Sequence, residues 1–98
     1  MSGWTFMTNH AHVLIYVARD PGARVRDIAD AVGITERTAQ GILSDLVDAG
    51  YLRREKSGRR NRYWLHTDRP LRHPIESDHL IGELLATLTR PGPRASAD

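Results

Sequence analysis

Two groups of side chains in this sequence have the types and spacing to do chemistry. The first is Arg37, Thr38, Gln40, Gly41, Ser44 and Asp45, six positions within nine residues. Arg, Gln, Thr and Ser are side chains that hydrogen-bond base edges in a DNA groove, and a glycine among them lets backbone come close. The second is Arg53, Arg54, Lys56, Arg59, Arg60 and Arg62, opposed over residues 51–66 only by Glu55. That stretch carries a net charge of +5 in a chain whose total is +2, so the remainder sums to −3. Thirteen of the 14 basic residues are arginine, whose planar fork suits phosphate and guanine better than a lysine point charge. Cations concentrated beside hydrogen-bonding side chains are the footprint of nucleic-acid contact. The bland counterparts are an ordinary solvated helix face and a hairpin whose charges protect an edge.

Other chemistries find less support. Among the five histidines, His10 and His12 are two apart and point in different directions on a helix. His66, His73 and His79, with Asp68, Glu76 and Asp78 nearby, match no known ligand spacing. A His/carboxylate zinc site across a dimer interface competes with a reading as surface and helix-cap histidines; we expect no metal and no cofactor. The absence of cysteine excludes disulfides, thiolate zinc sites and thiol redox sensing. No Ser-His-Asp spacing, phosphate loop or nucleotide fingerprint occurs, so no enzyme is expected. Trp4, Phe6, Tyr16 and Trp64 are placed either to line an effector pocket or to pack in a core or dimer seam, and packing is the commoner use. No apolar run approaches the ~20 residues of a membrane span, and no charged-then-apolar leader is present. A cytoplasmic protein without membrane contact is expected.

The elements that position the two groups follow from periodicity. Ile28, Ala29 and Val32 make the buried stripe of a short helix that Gly33 can stop. Thr35 caps a second helix, and Ala39, Ile42, Leu43, Leu46 and Val47 form its apolar face up to Gly50. A short helix, a tight turn and a longer helix make a helix-turn-helix, whose second helix enters the major groove. Ahead of it, Thr8 caps a helix over residues 9–19, ended by Asp20-Pro21-Gly22, and a short strand is expected at 23–25. From Tyr51 the period becomes that of strands, with arms at 51–55 and 61–66 joined by Lys56-Ser57-Gly58-Arg59-Arg60. Leu52, Tyr63 and Leu65 should face the core, and Arg62, Trp64 and His66 the other way. Trp64 therefore needs a partner helix, a ligand or another subunit. A hairpin directly after a recognition helix is a wing, and its Arg-rich tip suits phosphate or the minor groove. A last helix is expected from Pro74 to about Thr89, with Ile81, Leu84, Leu85 and Leu88 as an apolar stripe. It either caps its own core or, as we favour, pairs in a dimer.

The fold class implied is mostly α with a small β-hairpin wing, in the order α-β-α-α-β-β-α. The chain resembles the winged helix-turn-helix regulators, and among them the MarR-like group. The resemblance is carried by Arg26-Asp27-Ile28-Ala29, Val32 to Gln40, Leu46, Ala49-Gly50-Tyr51-Leu52 and Gly58-Arg59-Arg60-Asn61-Arg62-Tyr63. The run Pro70 to Glu76 looks like a small stand-alone subgroup. The size is nearer ArsR-type regulators, without their cysteine metal sites, so no effector carries over from either. The resemblance implies DNA contacts at Arg37, Thr38, Gln40, Gly41 and Ser44 and at Arg59, Arg60 and Arg62.

The expected layout is a lead-in at 1–8, a winged helix-turn-helix at 9–66, a loop and dimerisation helix at 67–89, and a disordered Pro/Gly/Ala tail at 90–98. The expected function is sequence-specific double-stranded DNA binding as a homodimeric transcriptional regulator on a palindromic operator. Recognition helix 35–49 would read the major groove through Thr35, Arg37, Thr38, Gln40, Gly41 and Ser44. Wing 56–62 would grip backbone or minor groove through Lys56, Arg59, Arg60 and Arg62. Trp4, Phe6, Ile81, Leu84, Leu85 and Leu88 are the dimer candidates. A small-molecule effector has no support from the residues. The alternatives are a winged-helix protein–protein module or a non-specific architectural DNA binder.

Overall fold

The computed structural model describes residues 3–90. Its elements are α1 (Asn9–Arg19), α2 (Val25–Val32), α3 (Glu36–Asp48), β1 (Leu52–Ser57), β2 (Arg60–Leu65) and α4 (Ile81–Leu88). Three helix ends in the first half are set by local contacts. The Thr8 hydroxyl accepts the Ala11 N–H at 3.2 Å and opens α1. α2 ends at Gly33, φ 86°, where the N–H groups of Gly33 and Ile34 both donate to the Ala29 carbonyl, at 2.8 and 3.0 Å. α3 opens on Thr35, whose hydroxyl accepts the Thr38 N–H at 3.0 Å.

These three helices share one core. α1 contributes Val13, Leu14 and Val17, α2 Ile28, and α3 Ile42, Leu43 and Leu46. Full burial of each such side chain is worth about 1.5–3 kcal/mol, which is what fixes the angle at which α3 is presented.

β1 and β2 pair antiparallel from Leu52–Leu65 to Ser57–Arg60, leaving Gly58-Arg59 as a two-residue turn. The ladder thus runs further than the expected loop over 56–60, and Lys56 and Arg60 are strand residues. Gly58 has φ 64°, and among the described residues no non-glycine has positive φ. A glycine first and a negative-φ residue second is the II′ arrangement, whose twist matches that of the strands it joins. Leu52 and Tyr63 are buried and Arg62 and Trp64 exposed, as the alternation requires.

The short strand expected at 23–25 is absent. Ala23 is buried, but α2 already begins at Val25, with Arg24 as its extended N-cap. What remains of sheet pairing is one bond, from the Tyr63 N–H to the Pro21 carbonyl at 3.1 Å. Proline has no N–H to return, so a ladder cannot propagate through it. The observed order is α-α-α-β-β-α around a two-stranded sheet.

The helix expected from Pro74 begins only at Ile81. Residues 74–78 form turns, and Ile75 is 84% exposed. Tertiary partners set the start. The N–H of Ile81 donates to the Arg69 carbonyl at 2.7 Å and that of Gly82 to the Thr67 carbonyl at 3.0 Å. The Glu83 carboxylate accepts the Leu80 N–H at 2.7 Å. A Cβ on Gly82 would lie 2.7 Å from the Thr67 oxygen, so this approach needs glycine. α4 then buries Ile81 and Leu85 in the shared core, while Leu84 and Leu88 stay half-buried. The Arg19 guanidinium donates to the Leu88 carbonyl at 2.7 Å, tying the end of α4 to α1. From residue 91 the expected tail lies outside the described residues.

Candidate nucleic-acid interface

The outward face of α3 is built by the same packing that buries its inner face. Arg37, Gln40, Gly41 and Ser44 fall at i, i+3, i+4 and i+7, one stripe of the helix surface. Arg37, Gln40 and Gly41 are exposed and Ser44 is half-buried. Thr38 stands beside them, exposed, and its hydroxyl accepts the Thr35 hydroxyl at 2.9 Å. Thr35 is thus occupied in capping, while the Thr38 hydroxyl keeps its own proton for an outside acceptor. Asp45 is drawn toward α1, where its carboxylate meets His10 Nε2 at 2.9 Å. A Cβ on Gly41 would have nothing within 4 Å, so the surface is open there.

The wing's cations are likewise free to reach outward: Lys56, Arg59, Arg60 and Arg62 are all exposed. Arg60 is partly committed, because its guanidinium donates to the Gly22 carbonyl and ties the wing to the turn after α1. Between that turn and the wing lies a hollow of about 290 Å³ lined by Arg24, Val25, Arg59, Arg60, Asn61 and Tyr63. Arg24 therefore joins the wing's positive surface, which its position in the sequence did not announce. Nothing local signals it; only the fold of the hairpin back onto the α1–α2 turn does. Arg53 and Arg54, also exposed, extend the same charge along β1.

The remaining candidates are placed as follows. Trp4 and Phe6 pack on each other edge-to-face, ring centroids 5.0 Å apart, and Phe6 is 89% exposed. Ile81 and Leu85 belong to the chain's own core, which leaves Leu84 and Leu88 as the accessible part of the α4 stripe. The four aromatics do not converge on one pocket. A hollow of about 310 Å³ between α1, the end of α3 and residues 71–84 is lined by Phe6 alone of the four. Tyr16 lines a different groove with Val32 and Leu88, and Trp64 lies out on the wing, flanked by arginines.

Among the described residues no group of three His, Asp or Glu is arranged to hold a metal ion. His73 accepts the Ile75 N–H at 3.1 Å, and His79 meets the Glu83 carboxylate at 2.8 Å. The histidine is pushed above its ordinary pKa by that hydrogen bond, then by the charges of Glu83 and Asp78. Glu83 is held below its ordinary value by the Leu80 N–H and then by His79. Among the described residues no helix is long and apolar enough to cross a membrane.

A comparison with curated proteins finds no match. Among solved structures, the chain is similar to MepR, a transcription regulator of the Staphylococcus aureus multidrug efflux pump MepA, at 26% identity and a TM-score of 0.54. That similarity covers 62% of this chain but only 47% of MepR, so the chain spans about half the length of that regulator. The MarR family model matches residues 2–62, which takes in α1, the helix-turn-helix and most of the wing. A mostly helical fold with a small β-wing matches the winged helix of MepR, and with the family model over residues 2–62 the chain belongs to the MarR family.

Proposed function

We propose that the protein is a transcriptional regulator that binds double-stranded DNA sequence-specifically as a homodimer. The observation that carries this reading is the juxtaposition of two surfaces. Arg37, Thr38, Gln40 and Gly41 stand exposed on α3, and a hairpin with a net charge of +5 over residues 51–66 follows it directly. In this reading α3 lies in the major groove, where Arg37 and Gln40 make bidentate contacts with base edges and Thr38 and Ser44 add single hydrogen bonds. Lys56, Arg59, Arg60 and Arg62 hold the flanking backbone or minor groove. The role is binding rather than catalysis, and it is exercised where the chromosome is, in the cytoplasm.

The dimer seam is drawn from surfaces left uncovered in one chain: the Trp4–Phe6 pair and the Leu84–Leu88 edge of α4. Two-fold symmetry then asks for a roughly palindromic operator with half-sites about one helical turn, ~10 bp, apart.

Fluorescence anisotropy against the DNA upstream of the protein's own gene, beside a scrambled duplex, each at two salt concentrations, tests the reading. Tighter binding to the upstream DNA is the expected result, with a salt slope that counts the phosphates neutralised. Equal, strongly salt-dependent binding to both duplexes would make the protein an architectural binder. No binding to either at low salt would leave the α3 face as a docking surface for a protein partner.

A further inference from the structure

Beyond the tip, the wing has a second cationic feature on its outer face. There β1 presents Arg53 and Glu55, and β2 presents Arg62 and Trp64, with Arg53 opposite Trp64 and Glu55 opposite Arg62. The guanidinium carbons of Arg53 and Arg62 lie 5.5 and 5.3 Å from the indole centroid. Trp64 belongs to no part of the hydrophobic core and is 43% exposed. Core packing therefore does not account for a tryptophan here. The two arginines do.

We propose that Trp64 is a positioning residue that holds Arg53 and Arg62 as a preformed pair of contacts for the DNA phosphate backbone. On this view the wing engages a duplex along its outer face as well as at its Arg59-Arg60 tip. The physical reason lies in how a guanidinium binds an aromatic ring. The ring quadrupole attracts the charge without accepting a hydrogen bond in the ordinary sense, and tryptophan does this best. The five N–H donors of each arginine remain largely available to phosphate oxygens. A free arginine must also lose its side-chain freedom on binding, and one already held over a ring loses less.

Glu55 fits the same arrangement. Its carboxylate accepts from Arg53 Nη1 at 3.1 Å, and both side chains are more than half exposed. Such a pair is weak in water, so a phosphate can take the carboxylate's place. The Arg62 guanidinium also reaches toward the turn after α1, where its Nη1 would stand 4.0 Å from a Cβ on Gly22.

The inference rests on the DNA-binding reading, and the test separates the two. The full chain is titrated onto a duplex across a salt series, comparing the parent protein with Trp64→Ala, Trp64→Phe, Arg53→Ala and the Trp64→Ala/Arg53→Ala double variant. Thermal melting of each reports on folding. Each phosphate that is no longer neutralised flattens the logarithmic salt slope by about 0.9. Trp64→Ala should flatten it by roughly one to two such steps and weaken binding several-fold, while Trp64→Phe, which keeps a ring face, should stay close to the parent. The double variant should be little worse than Trp64→Ala alone, because the two residues act as one unit. Glu55→Gln keeps the ring and supplies a second reading, with tighter binding expected. A folded Trp64→Ala protein with the parental salt slope would overturn the inference, as would strictly additive losses in the double variant. If the same variants bind as the parent while Arg59→Ala weakens binding, only this inference falls; if the parent binds no duplex, the DNA reading falls and takes it along.

Discussion

α3 and the wing are adjacent in sequence and opposite in character. Over Glu36–Asp48 the charged residues are Arg37 against Glu36, Asp45 and Asp48, a net of −2. Over 51–66 six cations meet one acid, a net of +5. A helix with net negative charge gains nothing from approaching DNA by attraction alone. On the proposed reading, its exposed Arg37, Thr38 and Gln40 act only when hydrogen-bond geometry with base edges is met. The wing is the reverse, with much charge and few side chains that can tell one base from another. On the proposed DNA-binding reading, the difference implies a division of labour: the wing would supply affinity that any duplex can draw on, and the helix discrimination.

The largest effect should come from the helix. Arg37→Ala and Gln40→Ala are expected to reduce discrimination between operator and scrambled duplex by about 1–3 kcal/mol for each base-edge interaction removed. Binding to scrambled DNA should barely move. Competition anisotropy with both duplexes measures this, and a uniform loss on both would break the comparison by making α3 a second backbone grip.

Next in size is the wing tip. Arg59→Ala with Arg60→Ala should weaken both duplexes alike, on the order of tenfold near physiological salt, and flatten the salt slope by about 0.9 for each phosphate released. Arg59 is the cleaner single change, because Arg60 also donates to the Gly22 carbonyl and its loss loosens the wing's tie to the turn after α1. A change in which sequence is preferred would show that the tip reads the minor groove rather than charge.

Where the deciding contacts are local, the sequence was sufficient. Thr8, Thr35 and Gly33 act within one turn of where they stand, and the caps and boundaries of α1 and α3 were legible for that reason. The outward face of α3 followed once its inner stripe was known. What was not legible depended on chain elsewhere. Residues 23–25 look extended, yet Pro21 can only accept from β2, so no strand forms. Pro74 and the stripe of Ile81, Leu84, Leu85 and Leu88 suggest a helix from residue 74, but the amides at its true start are satisfied by Arg69, Thr67 and Glu83. Ile75 itself is left in water. At the candidate site, Arg24 became visible only with the hairpin folded back, since no spacing rule links positions 24 and 59, and the place of Arg53 beside Trp64 only with the register of the hairpin.

Gly41 separates stability from binding on α3 itself. An exposed glycine inside a helix costs about 0.8–1 kcal/mol relative to alanine, and a Cβ there meets nothing within 4 Å. Gly41→Ala should therefore raise the melting temperature by several degrees while weakening operator binding, because in the proposed complex the added methyl would stand where the backbone approaches the groove. A variant that is more stable and binds as well as the parent would remove Gly41 from the interface and narrow the reading face to Arg37, Thr38, Gln40 and Ser44.

The smallest effect expected is a pH response confined to α4. His79 is pushed above its ordinary value of 6.5, chiefly by its hydrogen bond to Glu83. Its contribution is fully present below 6.5 and is lost as pH rises through the raised folded value. Glu83 is held below its ordinary 4.5, chiefly by the Leu80 N–H. Its contribution is present above 4.5 and is lost as pH falls through the depressed value. The start of α4 is thus best held between about pH 4.5 and 6.5. Both side chains are more than half exposed, so the effect is slight and salt will screen it. Melting curves between about pH 4 and pH 9 should show a shallow maximum that His79→Gln and Glu83→Gln flatten from the alkaline and acid sides respectively. Because neither residue lies on α3 or the wing, operator affinity at constant salt should not follow this titration. If affinity fell in step with deprotonation of His79, α4 would be coupled to the DNA surface, most simply through the seam that sets the spacing of two recognition helices, and the division between helix and wing would need a third member.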